Sequence, residues 1–153
     1  MFSSCSGVWF YGFAGSGKTF ASNVVATMFC NSFIIDGDEV RKLISYDLSY
    51  TPEDREIQLQ RMVGFAELVL KNAQFPIVST VSMNTGVFSQ CRALGVQVVE
   101  IIRPYDQRVS AREKLYKDSK NVVGKDIVQE KLKTKTISND GSDKFKKLIL
   151  QHD

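Results

Sequence analysis

Short apolar runs alternate along this chain with stretches whose apolar positions recur at threes and fours. GVWFYG (7–12), SFIID (32–36), FPIVSTV (75–81) and VQVVEIIR (96–103) are rich in Val, Ile and aromatics and are flanked by breakers. They predict four buried β-strands. The longest helical segment opens at TPED, where Thr51 suits the N-cap, Pro52 the first helical position and Asp54 the acid of a capping box. From there to Asn72, the positions of Ile57, Met62, Phe65, Ala66 and Val69 predict a core-facing stripe. TKTISNDGS (134–142) reads as a weaker last strand with a turn, and DKFKKLILQ (143–151) as a closing helix. Strand–helix alternation of this kind implies an α/β fold of three layers, a mostly parallel five-stranded sheet with helices on both faces.

Length and composition narrow the setting. With 153 residues, 43% of them hydrophobic, the chain is expected to form one domain over 1–153. A net charge of +3 is mild, and Lys114, Lys117, Lys120, Lys125, Lys131, Lys133 and Lys135 crowd the last third, which suggests anionic small ligands rather than a nucleic-acid polymer. Cys5, Cys30 and Cys91 are scattered and form no zinc-type cluster, so a reducing, cytoplasmic setting is expected. No basic leader and no apolar run near the ~18 residues of a membrane span is present. No membrane partner is therefore expected. The lone His152 is given no role.

FYGFAGSGKTFASN (10–23) adds the first chemistry. Gly12, Gly17, Lys18 and Thr19 satisfy G-x-x-x-x-G-K-[ST], the Walker A pattern, between a predicted strand and a predicted helix. Glycines there let successive N–H groups turn inward on phosphate oxygens, and the helix N-terminus adds its positive dipole end. The cofactor-binding residues are thus Gly12, Ala14, Gly15, Ser16, Gly17, Lys18 and Thr19, with Lys18 reaching the β and γ phosphates of ATP and the Thr19 hydroxyl ligating Mg2+. A glycine-rich turn with an incidental lysine is the bland alternative.

IIDGDEVR (34–41) follows the second predicted strand. Parallel strands end on one edge, so Asp36 and Asp38 should emerge beside the phosphates. A carboxylate there orients magnesium through water or accepts a proton from an attacking hydroxyl, and Arg41 adds a cation for an anionic acceptor. Acidic residues favouring a helix N-terminus would look the same. Asp54, Gln58 and Arg61 share one polar face of the long helix, as ligand contacts or as a solvated surface. No N-K-x-D guanine-reading sequence is present.

Together GFAGSGKT, DGDEVR, DLSYTPEDR (47–55) and REKLYK (112–117) resemble the adenylylsulfate kinase family across roughly residues 7–127, with a lid at about 112–127. The resemblance implies a P-loop kinase fold and a transferase that uses ATP and magnesium to phosphorylate the 3′-hydroxyl of adenylyl sulfate. It makes Asp36 the acid near the acceptor hydroxyl, catalytic alongside Lys18, and has Arg41 and Arg55 grip the acceptor's anionic group. Tyr50 would stack on its base. Ser82 falls at the serine of the family's F-I-S-P segment and reads as a backbone-supporting residue at a strand end. Lys114, Lys117 or Lys120 would close over the phosphates, and relatives commonly form homodimers.

The departures bear on the acceptor. Gln58 and Gln60 stand for the Asn and first Arg of D-R-x-E-N-I-R-R, Ser82 to Thr85 replace S-P-[YH]-R, the lid motif is shorter, and Val122 replaces a Phe. Each lost arginine–anion pair is worth ~1.5–3 kcal/mol. These losses point to an altered acceptor: the resemblance implies adenylyl sulfate or a close analogue, with a cytidine nucleotide such as cytidine diphosphoramidate, on which capsule-pathway relatives act, as the alternative. A non-catalytic ATP-binding switch module, and a small-metabolite kinase of the shikimate or gluconate type, are the other readings.

Overall fold

A computed structural model describes residues 2–120 and 122–151; Asn121 of the NVVG segment and His152 lie outside them. Five strands, β1 (Gly7–Tyr11), β2 (Ser32–Asp36), β3 (Phe75–Thr80), β4 (Val96–Ile102) and β5 (Lys135–Ser138), form one sheet in the order β2-β3-β1-β4-β5. Every pairing is parallel. Their carboxyl ends therefore share one edge, and β1 lies at the centre with all five residues buried.

The period of two in β1 sorts its side chains onto two cores. Val8 and Phe10 pack with Ala21, Val24 and Val25 of α1 (Lys18–Ala26) and with Phe145 and Ile149 of α7 (Asp143–Gln151). Trp9 and Tyr11 face the other way, toward Met62 and Val63 of α3 (Pro52–Lys71) and Val87 and Cys91 of α4 (Thr85–Ala93). Burying the Trp9 indole is tolerated because its Nε1 donates to Thr80 Oγ1 at 2.8 Å. Short helices α2 (Gly37–Leu43), α5 (Tyr105–Ala111) and α6 (Glu113–Asp118) stand at the sheet's carboxyl edge. No helix among the described residues is long and apolar enough to cross a membrane.

The elements follow the sequence pattern closely, with two corrections in α3. Thr51 caps it, its hydroxyl accepting from Asp54 N at 3.3 Å, and Pro52 opens it. Asp54, however, does not complete a capping box. Its Oδ2 accepts from Ser49 N at 2.8 Å and from the Ser49 hydroxyl, tying down the loop before the helix. The apolar stripe holds at Met62, Ala66 and Val69, with Phe65 packed on the same core, and departs from expectation at Ile57. Ile57 is 44% exposed, whereas Gln58, Leu59 and Val63 are buried beside Met62, Ala66 and Val69. The helix start swings Gln58 under the edge of the sheet, and a polar residue there obscures the true face.

Truncating Met62 to Ala should lower the unfolding free energy by ~2–5 kcal/mol. Ile57→Ala should shift it by less than about 0.5 kcal/mol. Urea unfolding of the two variants, read as midpoints at constant slope, checks the assignment of the core face.

Candidate functional site

The segment from Gly12 to Thr19 leaves β1 and turns back into α1 with its carbonyls bound from several directions. Lys18 Nζ donates to Gly12 O at 2.7 Å and Phe13 O at 3.1 Å. Tyr116 OH donates to Ala14 O at 2.9 Å, Arg103 Nη1 to Gly15 O at 3.0 Å and Asn139 Nδ2 to Ser16 O at 2.7 Å. Planar trans peptides then turn the Gly15 and Gly17 N–H groups the opposite way, into the cleft. The Ser16 N–H closes a turn to Phe13 O at 3.1 Å. Gly17 is the N-cap of α1 and supplies no capping side chain, so the first N–H groups of that helix have no side-chain partner at the cap.

Gly15 and Gly17 are held where only glycine fits, with φ of 82° and 106°. A Cβ on Gly15 would lie 2.8 Å from Arg108 O, and one on Gly17 2.5 Å from Asn139 Nδ2.

The loop forms one end of a cleft of about 550 Å³. Ala14, Gly15, Gly17, Lys18 and Thr19 line it, while Gly12 and Ser16 lie buried beneath. Burial pulls the Lys18 ammonium down to about 8, against the opposing pull of Asp38 and then Asp36 and with the help of Arg112 and Arg108. A cation this poorly solvated is poised to gain from an anion.

Asp36, at the end of β2, caps α2: its Oδ1 accepts from Asp38 N at 2.9 Å and Glu39 N at 3.4 Å, and its Oδ2 accepts from Ser79 Oγ at 2.9 Å. The helix-start reading and the cleft reading thus hold together, since Asp36, Asp38 and Ser79 all line the cleft. Asp36 Oδ2, which accepts one bond, keeps further acceptor capacity.

Arg41, Tyr50 and Arg55 gather at the mouth. The guanidinium carbons of Arg41 and Arg55 lie 4.6 and 5.4 Å from the Tyr50 ring centroid, and Tyr50 is 54% exposed. Arg41 Nη1 also donates to Ser49 O at 2.7 Å and Arg55 Nε to Tyr50 O at 3.1 Å. The expected stacking ring is therefore already flanked by the two expected anion-binding cations. Gln58 lies deeper, its Nε2 donating to Gly37 O at 3.3 Å. Ser82 lines the cleft two residues beyond β3, and its carbonyl accepts from Thr80 Oγ1 at 2.8 Å, a strand-end support.

Four residues considered as contacts are not brought there: Asp54 is tied to Ser49, and Arg61, Lys114 and Lys117 also lie outside the cleft. Arg61 forms a bidentate pair with Asp47, at 2.6 and 2.7 Å, and borders a separate shallow groove with Gly64 and Leu68. Lys114 is exposed outside the cleft, and Lys117 pairs with Glu113 one turn back along α6. Of the lid lysines considered, Lys120 lines the cleft.

The opposite wall contains residues that the sequence reading did not assign: Arg112 and Leu115 of the α5–α6 region, then Ser119 and Val123 beside Val122. Arg103, Tyr116 and Asn139, which hold the loop's carbonyls, were missed as well. Asn139 had a legible signal, lying in the expected strand-and-turn segment 134–142, one residue beyond β5 at the edge where parallel strands end. Beyond this wall the chain crosses back over the sheet. Gln129 pairs its amide with both backbone groups of Met83, Glu130 Oε2 accepts from Thr85 N at 3.0 Å and Oγ1 at 2.8 Å, and Thr134 Oγ1 bonds Tyr11 OH at 3.0 Å.

The donor set suits magnesium in its usual nucleotide-bound form. The Thr19 hydroxyl and the Asp36 and Asp38 carboxylates are hard oxygens on one cleft, enough where phosphate and water complete the shell.

Sheet order, central loop and edge carboxylates define the P-loop kinase fold. The APS kinase of Mycobacterium tuberculosis, solved with AMPPNP and APS, superposes with a TM-score of 0.78 at 19% identity over 94% of this chain and 92% of that one. A sugar kinase from Janibacter sp. superposes at 0.64 with 16% identity over 94% and 90%. The fold alone thus leaves the acceptor open. The adenylylsulphate kinase family model matches residues 4–131, and the chain belongs to that family. Adenylyl-sulfate kinases of Picosynechococcus sp. and Pseudomonas aeruginosa are each 32% identical over 98 residues, 61% of this chain and 55% and 48% of theirs. The matched region spans about half the length of these relatives.

Lys18 sets a pH window. Its folded value of about 8 lies below the ordinary 10.5, so native Lys18 loses its proton before an unfolded one does, and its charge is half lost at about pH 8. Polyphosphate selects the charged form. Metal-free ATP should therefore bind more weakly as pH rises from 7.5 to 9.5, with proton uptake near the middle of that range. Calorimetry in buffers of different ionisation enthalpy should detect that uptake, and Lys18→Met should abolish it.

Proposed function

We propose that the chain is an ATP-dependent kinase that transfers the γ-phosphate of ATP to a hydroxyl of a nucleotide acceptor, the ribose 3′-hydroxyl of adenylyl sulfate or a close analogue. The observation that carries this reading is the single cleft that joins the Gly12–Thr19 loop to Asp36, Asp38, Arg41, Tyr50 and Arg55. Loop amides and the Lys18 ammonium grip the β and γ phosphates. Asp36, fixed by its α2 bonds and Ser79, accepts the proton as the acceptor oxygen bonds to the γ phosphorus and the bond to the β–γ bridging oxygen breaks. Arg41 and Arg55 hold the acceptor's charge, Gln58 bounds its pocket, and Lys120 approaches from the lid side. Magnesium, held by Thr19 and near Asp36, would neutralise charge on the transferred group.

A second reading, a cytidine nucleotide as acceptor, is supported by the loss of two arginines that the resemblance expects. Gln60 stands where the resemblance expects an arginine, and it accepts from Gln90 at 3.2 Å. Thr85, at a second such position, is bound by the Glu130 carboxylate. Two positions where the resemblance expects cations thus carry neutral side chains, one of them with an acid bonded to it.

Incubating the chain with ATP, magnesium and a panel containing adenylyl sulfate and cytidine diphosphate derivatives, with detection of the new phosphate ester, tests both readings. Phosphorylation of a panel nucleotide is expected, and ATP binding without any phosphoryl transfer would count for a switch module instead. Asp36→Asn, which preserves the helix cap, should lower turnover by ~10²–10⁴-fold while ATP affinity stays within a few-fold.

A further inference from the structure

The Arg108 guanidinium is buried, with the residue only 6% exposed, and no carboxylate pairs with it among the described residues. It lies 4.5 Å from the Phe13 ring centroid, 5.3 Å from that of Tyr105 and 5.8 Å from that of Tyr116. Its Nε donates to Arg103 O at 3.0 Å and its Nη1 to Tyr116 OH at 2.9 Å. The Tyr116 hydroxyl passes the bond on, donating to Ala14 O at 2.9 Å.

A buried cation without a counter-charge is costly, and three aromatic faces offset only part of that cost. The arrangement acquires a purpose when the chain of bonds is followed to its end. Ala14 O and Gly15 N–H belong to one peptide unit. A donor on the carbonyl polarises the whole amide, and a charged donor behind that donor polarises it further. We propose that Arg108 and Tyr116 are positioning residues that relay a buried positive charge to the Gly15 N–H, strengthening the phosphate loop's grip on a polyphosphate without touching it. The missing counter-ion of Arg108 is then the bound ligand, reached through two hydrogen bonds and a peptide group. Burial holds the Tyr116 phenol above its ordinary value despite the opposing pull of Arg108, so the hydroxyl keeps the proton it donates. The same segment also fixes position: Arg108 O is the atom against which a Cβ on Gly15 would collide, and Arg103 binds Gly15 O.

The inference rests on the reading of this loop as an ATP site, and the test separates the two. Tyr116→Phe keeps the ring and removes the relay's hydroxyl. It should weaken ATP about 5–10-fold by calorimetry, leave the adenosine affinity unchanged, and move the Gly15 amide proton upfield in the nucleotide-free protein. Arg108→Lys should recover part of the ATP affinity lost in Arg108→Met; if Arg108→Met does not fold, Tyr116→Phe carries the test. Equal ATP affinity in a folded Tyr116→Phe chain, or an equal loss for adenosine and ATP, overturns the relay while the kinase reading stands. A wild-type chain that binds no ATP overturns the kinase reading, and the Gly15 shift in the free protein still decides the relay.

Discussion

A loop that turns its amides toward phosphate must turn its carbonyls somewhere else, and next to a packed sheet those carbonyls need donors. This requirement organises the molecule. Ala14, Gly15 and Ser16 are bound by side chains from residues 116, 103 and 139, and only Gly12 and Phe13 are served from within the loop, by Lys18. The nucleotide end of the cleft therefore exists only once β4, α6 and the turn after β5 have docked. Parallel order makes that possible, because β1, β4 and β5 deliver the chain at the same edge.

The other end of the cleft, where the proposed acceptor would sit, is built differently. Its side chains come from α2, from the loop before α3, from the first turns of α3 and from the segment following α6. Here the bonds run among the functional residues themselves: Arg41 and Arg55 hold the backbone of residues 49 and 50 and flank the Tyr50 ring, while Asp54 and Asp47 anchor the same loop through Ser49 and Arg61. An acceptor anion entering this cluster competes with carbonyl oxygens for guanidinium protons. Such competition is more readily tuned than the loop, whose geometry several distant elements impose.

How much was legible in the sequence follows from the range of each interaction. The strands, α3 with its cap, α7 and the phosphate loop rest on periodicity, cap residues and a spaced motif, all local, and all appear close to their expected bounds. Arg61 was placed correctly on its helix, but its partner lies fourteen residues away at Asp47, and nothing in helical spacing ranks an ion pair above a ligand contact. Ile57 failed for a related reason: a single buried glutamine rotated the apparent apolar face. The loop's outer donors were hidden because a hydrogen bond spanning 123 residues, such as Asn139 to Ser16, leaves no periodic trace. Only strand-end logic pointed toward it.

The return path after α6 has an evolutionary corollary. Tyr116 grips the loop on one side, and Gln129 and Glu130 clamp the chain to Met83 and Thr85 on the other. The dozen residues bracketed by these two moorings supply Ser119, Lys120, Val122 and Val123 to the cleft wall. Exchanging side chains within the bracket would remodel what the pocket admits while both moorings stay intact, so a lineage can reshape this wall without disturbing the loop.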